Sequence, residues 1–269
     1  MAKPQILLTN DDGIQSPGLW AAAESLSDLG YVHVVAPQDQ TSGMGRSFPR
    51  TFDGSIQVHN MTVHGKEWQV FAVSGSPAQT VLHAVYEILT EKPDLVVSGI
   101  NYGENLGTGV SASGTVGAAM EAAAMGFPSL AISLETNPNE YLSYSDQVDF
   151  STAAYFTAYF GRLLLGKRFP PDVDLLKVDV PCDISPDTGW DVTRLSHIQY
   201  FEPIVPERKS LGDPASFGYN LAGNPEEDAE DTDVYTLRVK GRISVTPLSL
   251  DFTSRVKLDD FEKLLREED

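Results

Sequence analysis

Along residues 5–134, short apolar runs alternate with stretches in which apolar side chains recur at helical spacing. The runs fall at 5–9, 32–36, 94–98 and 130–134. They lack strict apolar–polar alternation, the pattern of strands covered on both faces. Val81, Ala84, Val85, Ile88 and Leu89 stand at i, i+3, i+4, i+7 and i+8, and Val116, Ala119, Met120, Ala123 and Ala124 repeat that spacing. Leu19, Ala22, Ala23 and Leu26 form a shorter stripe of the same kind, so strands and helices take turns and a parallel α/β sheet follows. Between 55 and 73 the pattern turns β-type, predicting a hairpin or extra strands. A helix over 150–165 and a strand over 175–180 come next. Residues 181–233 are rich in Pro, Gly and Asp and predict loops and short strands, with 225–233 an exposed acidic turn (Glu226, Glu227, Asp228, Glu230, Asp231, Asp233). Residues 234–239 and 242–247, joined around Gly241, read as a two-stranded arm. Phe261, Leu264 and Leu265 mark a short terminal amphipathic helix. The expected organisation is a core over 1–180 and a dependent extension over 181–269.

Composition narrows the function. With 41% hydrophobic and 21% charged residues among 269, the chain can bury a sizeable core. Its 38 acidic against 19 basic residues leave a net charge of −19. That argues against a general duplex-binding surface, which needs a basic footprint, and against a surface held on anionic lipid. Small phosphorylated substrates remain open, because a metal ion can reverse the sign of a pocket locally. A single cysteine, Cys182, rules out an internal disulfide framework and a Cys-rich zinc site. The opening Met1-Ala2-Lys3-Pro4 leads directly into Ile6-Leu7-Leu8, with no long apolar segment of the signal-peptide type, and no apolar run reaches ~18 residues. A cytoplasmic protein is the expectation.

Three loops at the carboxyl ends of predicted strands carry candidate chemistry, and ligands of open α/β sheets bind at that edge. In Thr9-Asn10-Asp11-Asp12-Gly13, adjacent carboxylates repel unless a cation lies beside them, and Mg²⁺ or Mn²⁺ suits oxygen donors. The competing reading makes Asp11 or Asp12 a cap for the helix starting near Pro17. Ala36-Pro37 leads to a loop with Ser42-Gly43. The third segment runs from Ser98-Gly99-Ile100-Asn101 through Gly103, Asn105 and Gly107 to Ser113-Gly114-Thr115, which opens a helix. Asn101 can offer a side-chain oxygen to a metal, and Ser113-Gly114-Thr115 offers hydroxyls and backbone N–H groups to an anion. Here the competing reading is Ser113 as an N-cap. Gly107-Thr108-Gly109-Val110-Ser111-Ala112 also fits G-x-G-x-x-A, but a dinucleotide fingerprint follows its strand at once and this one does not. The five histidines show no metal-ligand spacing, and Cys182 has no base nearby.

Taken together, Leu8-Thr9-Asn10-Asp11-Asp12-Gly13, Ala36-Pro37-x4-Ser42-Gly43, Ser98-Gly99-Ile100-Asn101-x-Gly103-x-Asn105 and Ser113-Gly114-Thr115-Val116 resemble the SurE family of metal-dependent nucleotidases. The resemblance resumes at Asp231-Thr232-Asp233 and Ser244-Val245-Thr246-Pro247-Leu248. It implies a three-layer, Rossmann-like α/β/α core with a β-rich C-terminal extension that joins subunits into dimers or tetramers. It also implies one divalent ion held at Asp11, Asp12, Ser42 and Asn101. Two segments depart from the family pattern. Gly75-Ser76-Pro77-Ala78-Gln79-Thr80 stands where the family usually has G-T-P-x-D-C, and Gly109-Val110-Ser111-Ala112 where it often has D-V-x-Y. Both bear on substrate preference.

The expected reaction is hydrolysis of a nucleoside monophosphate, with Asp11 and Asp12 holding the ion and either one able to orient or deprotonate water. Asn105, Gly43 and the Ser113-Gly114-Thr115 turn would hold phosphate oxygens, and Tyr102 either stacks on the base or packs in its loop. The alternatives are a non-catalytic nucleotide- or phosphate-binding module and a dinucleotide-dependent oxidoreductase.

Overall fold

On β1 (Gln5–Thr9) successive side chains point to opposite faces, so Ile6 and Leu8 are buried on one side of the strand and Leu7 on the other. That demands cover on both faces, and the computed structural model supplies it as three layers. It describes residues 3–137 and 147–266; Met1 and Ala2, part of the opening read above for a leader, lie outside them. Helices α1 (Pro17–Leu26) and α4 (Ser151–Gly166) cover the Ile6 face, and α2 (Pro77–His83) and α3 (Gly114–Ala124) cover the Leu7 face.

The other strands are β2 (Tyr31–Pro37), β3 (Ile56–Val63), β4 (Lys66–Val73), β5 (Leu95–Tyr102), β6 (Ser129–Leu134), β7 (Leu175–Val180), β8 (Trp190–Val192), β9 (Phe201–Ile204), β10 (Gly218–Leu221) and β11 (Ile243–Leu248). A nine-stranded sheet runs β3-β4-β2-β1-β5-β6-β7-β11-β8, parallel from β4 to β7. The order reverses between β1 and β5, so a crevice opens where the loops after these two strands diverge. The four strands and three helices read from the first half are present, with α2 continuing into a π-helical turn over Ala84–Ile88. The 55–73 hairpin is β3–β4, antiparallel on the sheet edge.

The C-terminal third differs from its reading. Residues 234–239 are not a strand: α5 (Asp233–Arg238) is a helix, capped by the Thr232 hydroxyl accepting from the Tyr235 N–H at 3.2 Å. The expected second strand of the arm is β11, which pairs antiparallel with β7 and parallel with β8 inside the main sheet. Val234 and Leu237, three apart, give too short a stripe to reveal a helix, and β11 looked peripheral only because its partner β7 lies far back in sequence. Pro247 fits in β11 because it lies past the last β8 partner. The hairpin that does project is β9–β10. The acidic turn is exposed at Glu226, Glu227, Glu230 and Asp231 and half-buried at Asp228, but Asp233 at its end is fully buried. The terminal helix, α6 (Leu258–Arg266), is exposed along its whole length. Among the described residues, no helix is long and apolar enough to cross a membrane.

Helix α1 packs so closely on the end of β5 that a Cβ on Gly18 would lie 2.2 Å from the Ile100 carbonyl oxygen. At Gly166, the last residue of α4, a Cβ would meet nothing within 4 Å. Gly18→Ala is therefore expected to destabilise the fold by about 1–3 kcal/mol. Gly166→Ala should be stabilising by about 0.5–1 kcal/mol. Urea unfolding of the two variants checks both signs, and a neutral Gly18→Ala would contradict this packing.

Candidate active site

The turn after β1 is closed by Asn10, whose Nδ2 donates to the Gly13 carbonyl at 3.0 Å and whose Oδ1 accepts from the Gly13 N–H at 3.2 Å. Gly13 has φ +93°, and a Cβ there would lie 3.0 Å from the Asp39 carbonyl carbon, so only glycine fits. The turn carries two carboxylates out of water: Asp11 is 4% exposed and Asp12 1%.

Asp11 sits on the N-terminus of α3. The Thr115 hydroxyl donates to its Oδ1, and Gly114 presses so close that a Cβ would lie 2.7 Å from Oδ2. The helix's positive end thus acts first on the protein's own carboxylate. On Asp12, Oδ1 accepts from Gln40 Nε2 at 2.9 Å and Oδ2 from the Tyr102 N–H at 3.1 Å. Burial raises the Asp11 carboxyl, opposed by the hydrogen bonds from Thr115 and Gly114. Asp12 is pushed up to about 8, by burial first and by the Asp11 charge second. A divalent cation between them would relieve that repulsion.

The other donors fit a hard cation. Asn101 spends its Nδ2 on the Tyr102 carbonyl at 3.1 Å and the Gly103 carbonyl at 2.7 Å, which leaves Oδ1 as the acceptor it can present. Ser42 and Gly43 are exposed, and the loop is fastened on both sides of them. Before them, Thr41 donates its N–H to the Asp11 carbonyl at 2.8 Å; after them, Gly45 donates to the Ala112 carbonyl at 2.9 Å. Among the described residues no group of three or more His, Cys, Asp or Glu could hold a metal ion, so such a site depends on amide and hydroxyl donors beside the two acids.

The structure therefore joins Asp11 to Thr115 and Gly114, with Asp12 next along the chain, and ties the loop that carries Ser42 and Gly43 to the Asp11 carbonyl through Thr41. Ser113 caps α3, accepting from the Val116 N–H at 3.1 Å, and its own hydroxyl proton stays available to an anion. Asn105 leaves the β5 loop held at two points: its N–H donates to Asp179 Oδ1 and its Nδ2 to Ser133 Oγ, both at 2.8 Å. Tyr102 is the last residue of β5 rather than a loop residue, and its ring packs in the core, edge-on against Phe150 with centroids 4.9 Å apart.

The family model described as survival protein SurE matches residues 6–202. The chain belongs to the SurE family. It is 42% identical to the 5′-nucleotidase SurE of Thermococcus gammatolerans, over 97% of this chain and 94% of that one. It is 44% identical to the 5′-nucleotidase SurE of Archaeoglobus fulgidus, over 96% of each. The crystal structure of the SurE protein from Aquifex aeolicus superposes with a TM-score of 0.77 at 31% identity, covering 97% of this chain and all of that one.

Within this SurE chain, the first departure serves local structure. Gln79 closes a capping box on α2: its N–H donates to Ser76 Oγ at 3.2 Å and its Oε1 accepts from the Ser76 N–H at 3.0 Å. Thr80 donates its hydroxyl to the Ser76 carbonyl at 3.0 Å. The G-x-G-x-x-A match falls in a 3₁₀ turn over Gly107–Ser111, not in a strand-to-helix turn, so the dinucleotide geometry is absent. Several residues around the site were missed from sequence: Gln40, Lys177, Asp179 and Asp233. Gln40 left no signal. Lys177 and Asp179 did, as two charges spaced i, i+2 in an otherwise apolar strand.

Because the Asp12 carboxyl lies above its ordinary 3.8, the metal-free fold binds a proton that the unfolded chain has released, and stability falls as pH rises between about 4 and about 8. In chelated protein, the Tm of Asp12→Asn should exceed that of wild type by a margin that widens from pH 5 to pH 8. A margin that shrinks with rising pH would contradict the buried, repelling pair. At about 2–4 °C per kcal/mol the effect is readable by thermal scans.

Proposed function

We propose that the chain is a nucleotidase, hydrolysing the phosphate monoester of nucleoside monophosphates with the help of one divalent ion, Mg²⁺ or Mn²⁺. The observation that carries this reading is the buried Asp11–Asp12 pair at the β1/β5 crevice, in a chain whose relatives at 42% and 44% identity are 5′-nucleotidases. When bound, the ion supplies a Lewis acid and lowers the pKa of water.

Asp11, Asp12, Ser42 and Asn101 hold it. Thr115 and Gly114 keep Asp11 aimed, and Gln40 and the Tyr102 N–H do the same for Asp12. The Asn105 side chain, the Ser113 hydroxyl and the Gly43 N–H bind phosphate oxygens, and the field of the α3 N-terminus adds to the charge stabilisation there. Both carboxylates would hold the ion, and either one could also orient or deprotonate the attacking water.

We further propose that the protein works as a dimer or tetramer. The hairpin strands β9 and β10 and the connection between them expose Leu211 (92%), Val205 (79%) and Phe217, and α6 exposes Leu265, Leu264 and Phe261. Apolar surface on two projecting elements is best explained by a second copy covering it. Light scattering on an eluting peak would return a monomer mass if this is wrong.

Three activity outcomes are expected. Asp12→Asn lowers turnover of a nucleoside monophosphate by about a thousandfold or more, roughly 4 kcal/mol of barrier. Thorough chelation abolishes turnover, and added Mn²⁺ or Mg²⁺ restores it. Because the −19 net charge repels an anionic substrate, kcat/KM rises as modest salt screens the surface. Full activity in EDTA, or in Asp12→Asn, refutes the reading. Binding of the same nucleotides without turnover would favour a non-catalytic module.

A further inference from the structure

Three charged side chains lie fully buried beside the site and are not used by the reaction: Lys177 and Asp179 on β7, and Asp233 at the start of α5. Leu176 and Val178 pack toward α1 and α4, so Lys177 and Asp179 share the opposite face of the strand. Burial pushes the Lys177 ammonium down, but the two carboxylates outweigh it and hold the group above its ordinary value. Apolar residues of similar volume would hold such a sheet at least as well, so stability alone does not explain an ionic set here.

Its hydrogen bonds do. Lys177 Nζ donates to Asp179 Oδ2 and, at 3.1 Å, to Asp233 Oδ2. Asp179 gives its other oxygen to the Asn105 N–H at 2.8 Å, and Asp233 Oδ2 accepts the Gly107 N–H at 2.9 Å. The second Asp233 oxygen takes the N–H groups of Ser196 at 2.8 Å and Val234 at 3.0 Å. One ammonium thus binds two carboxylates, and each grips one N–H of the loop on either side of Leu106. Ser133, the register partner of Asp179 on β6, takes the Asn105 side chain at 2.8 Å. Backbone and side chain of Asn105 are fixed from neighbouring strands at the same level of the sheet.

We infer that Lys177, acting through Asp179, is a positioning residue that sets the direction in which Asn105 meets the phosphate, with Asp233 fixing the far end of the same loop. The inference rests on the phosphatase reading above. Displacement of a positioned group by ~1 Å can cost ~100-fold in rate, so the effect is measurable.

The test is a double-mutant cycle on hydrolysis of p-nitrophenyl phosphate and a nucleoside monophosphate with Mn²⁺. Asp179→Ala is expected to lower kcat at least about tenfold while Mn²⁺ still raises Tm as in wild type, since the Asp11–Asp12 pair is untouched. In the Asn105→Ala background, Asp179→Ala costs at most about a further threefold, because there is no side chain left to aim. Lys177→Met shows the same dependence on Asn105. Asp179→Asn, which keeps an oxygen opposite the Asn105 N–H, recovers most of the loss. Losses that multiply, or a kcat in Asp179→Ala equal to wild type while Asn105→Ala is impaired, overturn the inference alone. An inactive wild type, or a fully active Asn105→Ala, overturns the phosphatase reading or the role of Asn105 instead. Amide exchange on wild type needs no variant to fold: the N–H groups of Asn105 and Gly107 should be protected, and exchange as fast as in an open loop overturns the clamp.

Discussion

Two adjacent carboxylates withdrawn from water are the constraint around which this molecule is arranged. Removing one charge from solvent costs several kcal/mol, and a second like charge beside it raises the cost. The surroundings of Asp11 and Asp12 are organised to meet that demand. Gly114 lets the start of α3 touch Asp11, Gln40 and the Tyr102 backbone approach Asp12, and Gly13 turns the chain sharply enough to bring both there. None of these contacts neutralises the pair. The site is left with a standing need for positive charge, which a divalent ion is suited to fill.

A second charged set, Lys177 with Asp179 and Asp233, answers a different need at the same edge of the sheet. It lies in a polar seam running across β6, β7 and β11, where Ser133, Ser244 and Thr246 are also buried. Thr193 bridges Ser244 at 2.9 Å and Thr246 at 2.8 Å. In such a seam each polar group must find a partner, and the partners come from the loop after β5 and from α5. The C-terminal segments are therefore part of what shapes the site: β11 supplies sheet and α5 supplies Asp233. The buried root of the hairpin joins in, since Tyr200 donates to the buried Glu104 at 2.6 Å, one residue before Asn105.

Most of the core was legible in the chain, for a local reason. Strands such as 5–9 and 130–134 are largely apolar because both faces are covered, and helices such as α3 show a stripe long enough to have a period. The candidate site was legible where its residues cluster in loops between clearly periodic elements, as Asp11-Asp12 and Asn101 to Thr115 do. Legibility failed where identity was decided by distant partners. The segment 234–239 has β-branched residues and a short stripe, and the Thr232 cap that makes it helical is one residue among many threonines. Residues 242–247 looked like half of an arm because nothing in their neighbourhood names β7. Asp233 looked solvated because five acidic residues precede it in an exposed turn.

The sequence by itself determined the layer architecture, the edge of the sheet at which the candidate site lies and the residue types gathered there, because periodicity and loop composition are local properties. Only the tertiary structure decided which acids are buried, which hydroxyls and N–H groups are already committed, and how the C-terminal segments enter the core. Those outcomes depend on desolvation and on contacts between residues as far apart as Asn105 and Asp179 or Gly107 and Asp233. No local pattern encodes such a pairing, since burial turns an ordinary charge into a structural demand only when the fold brings its partner.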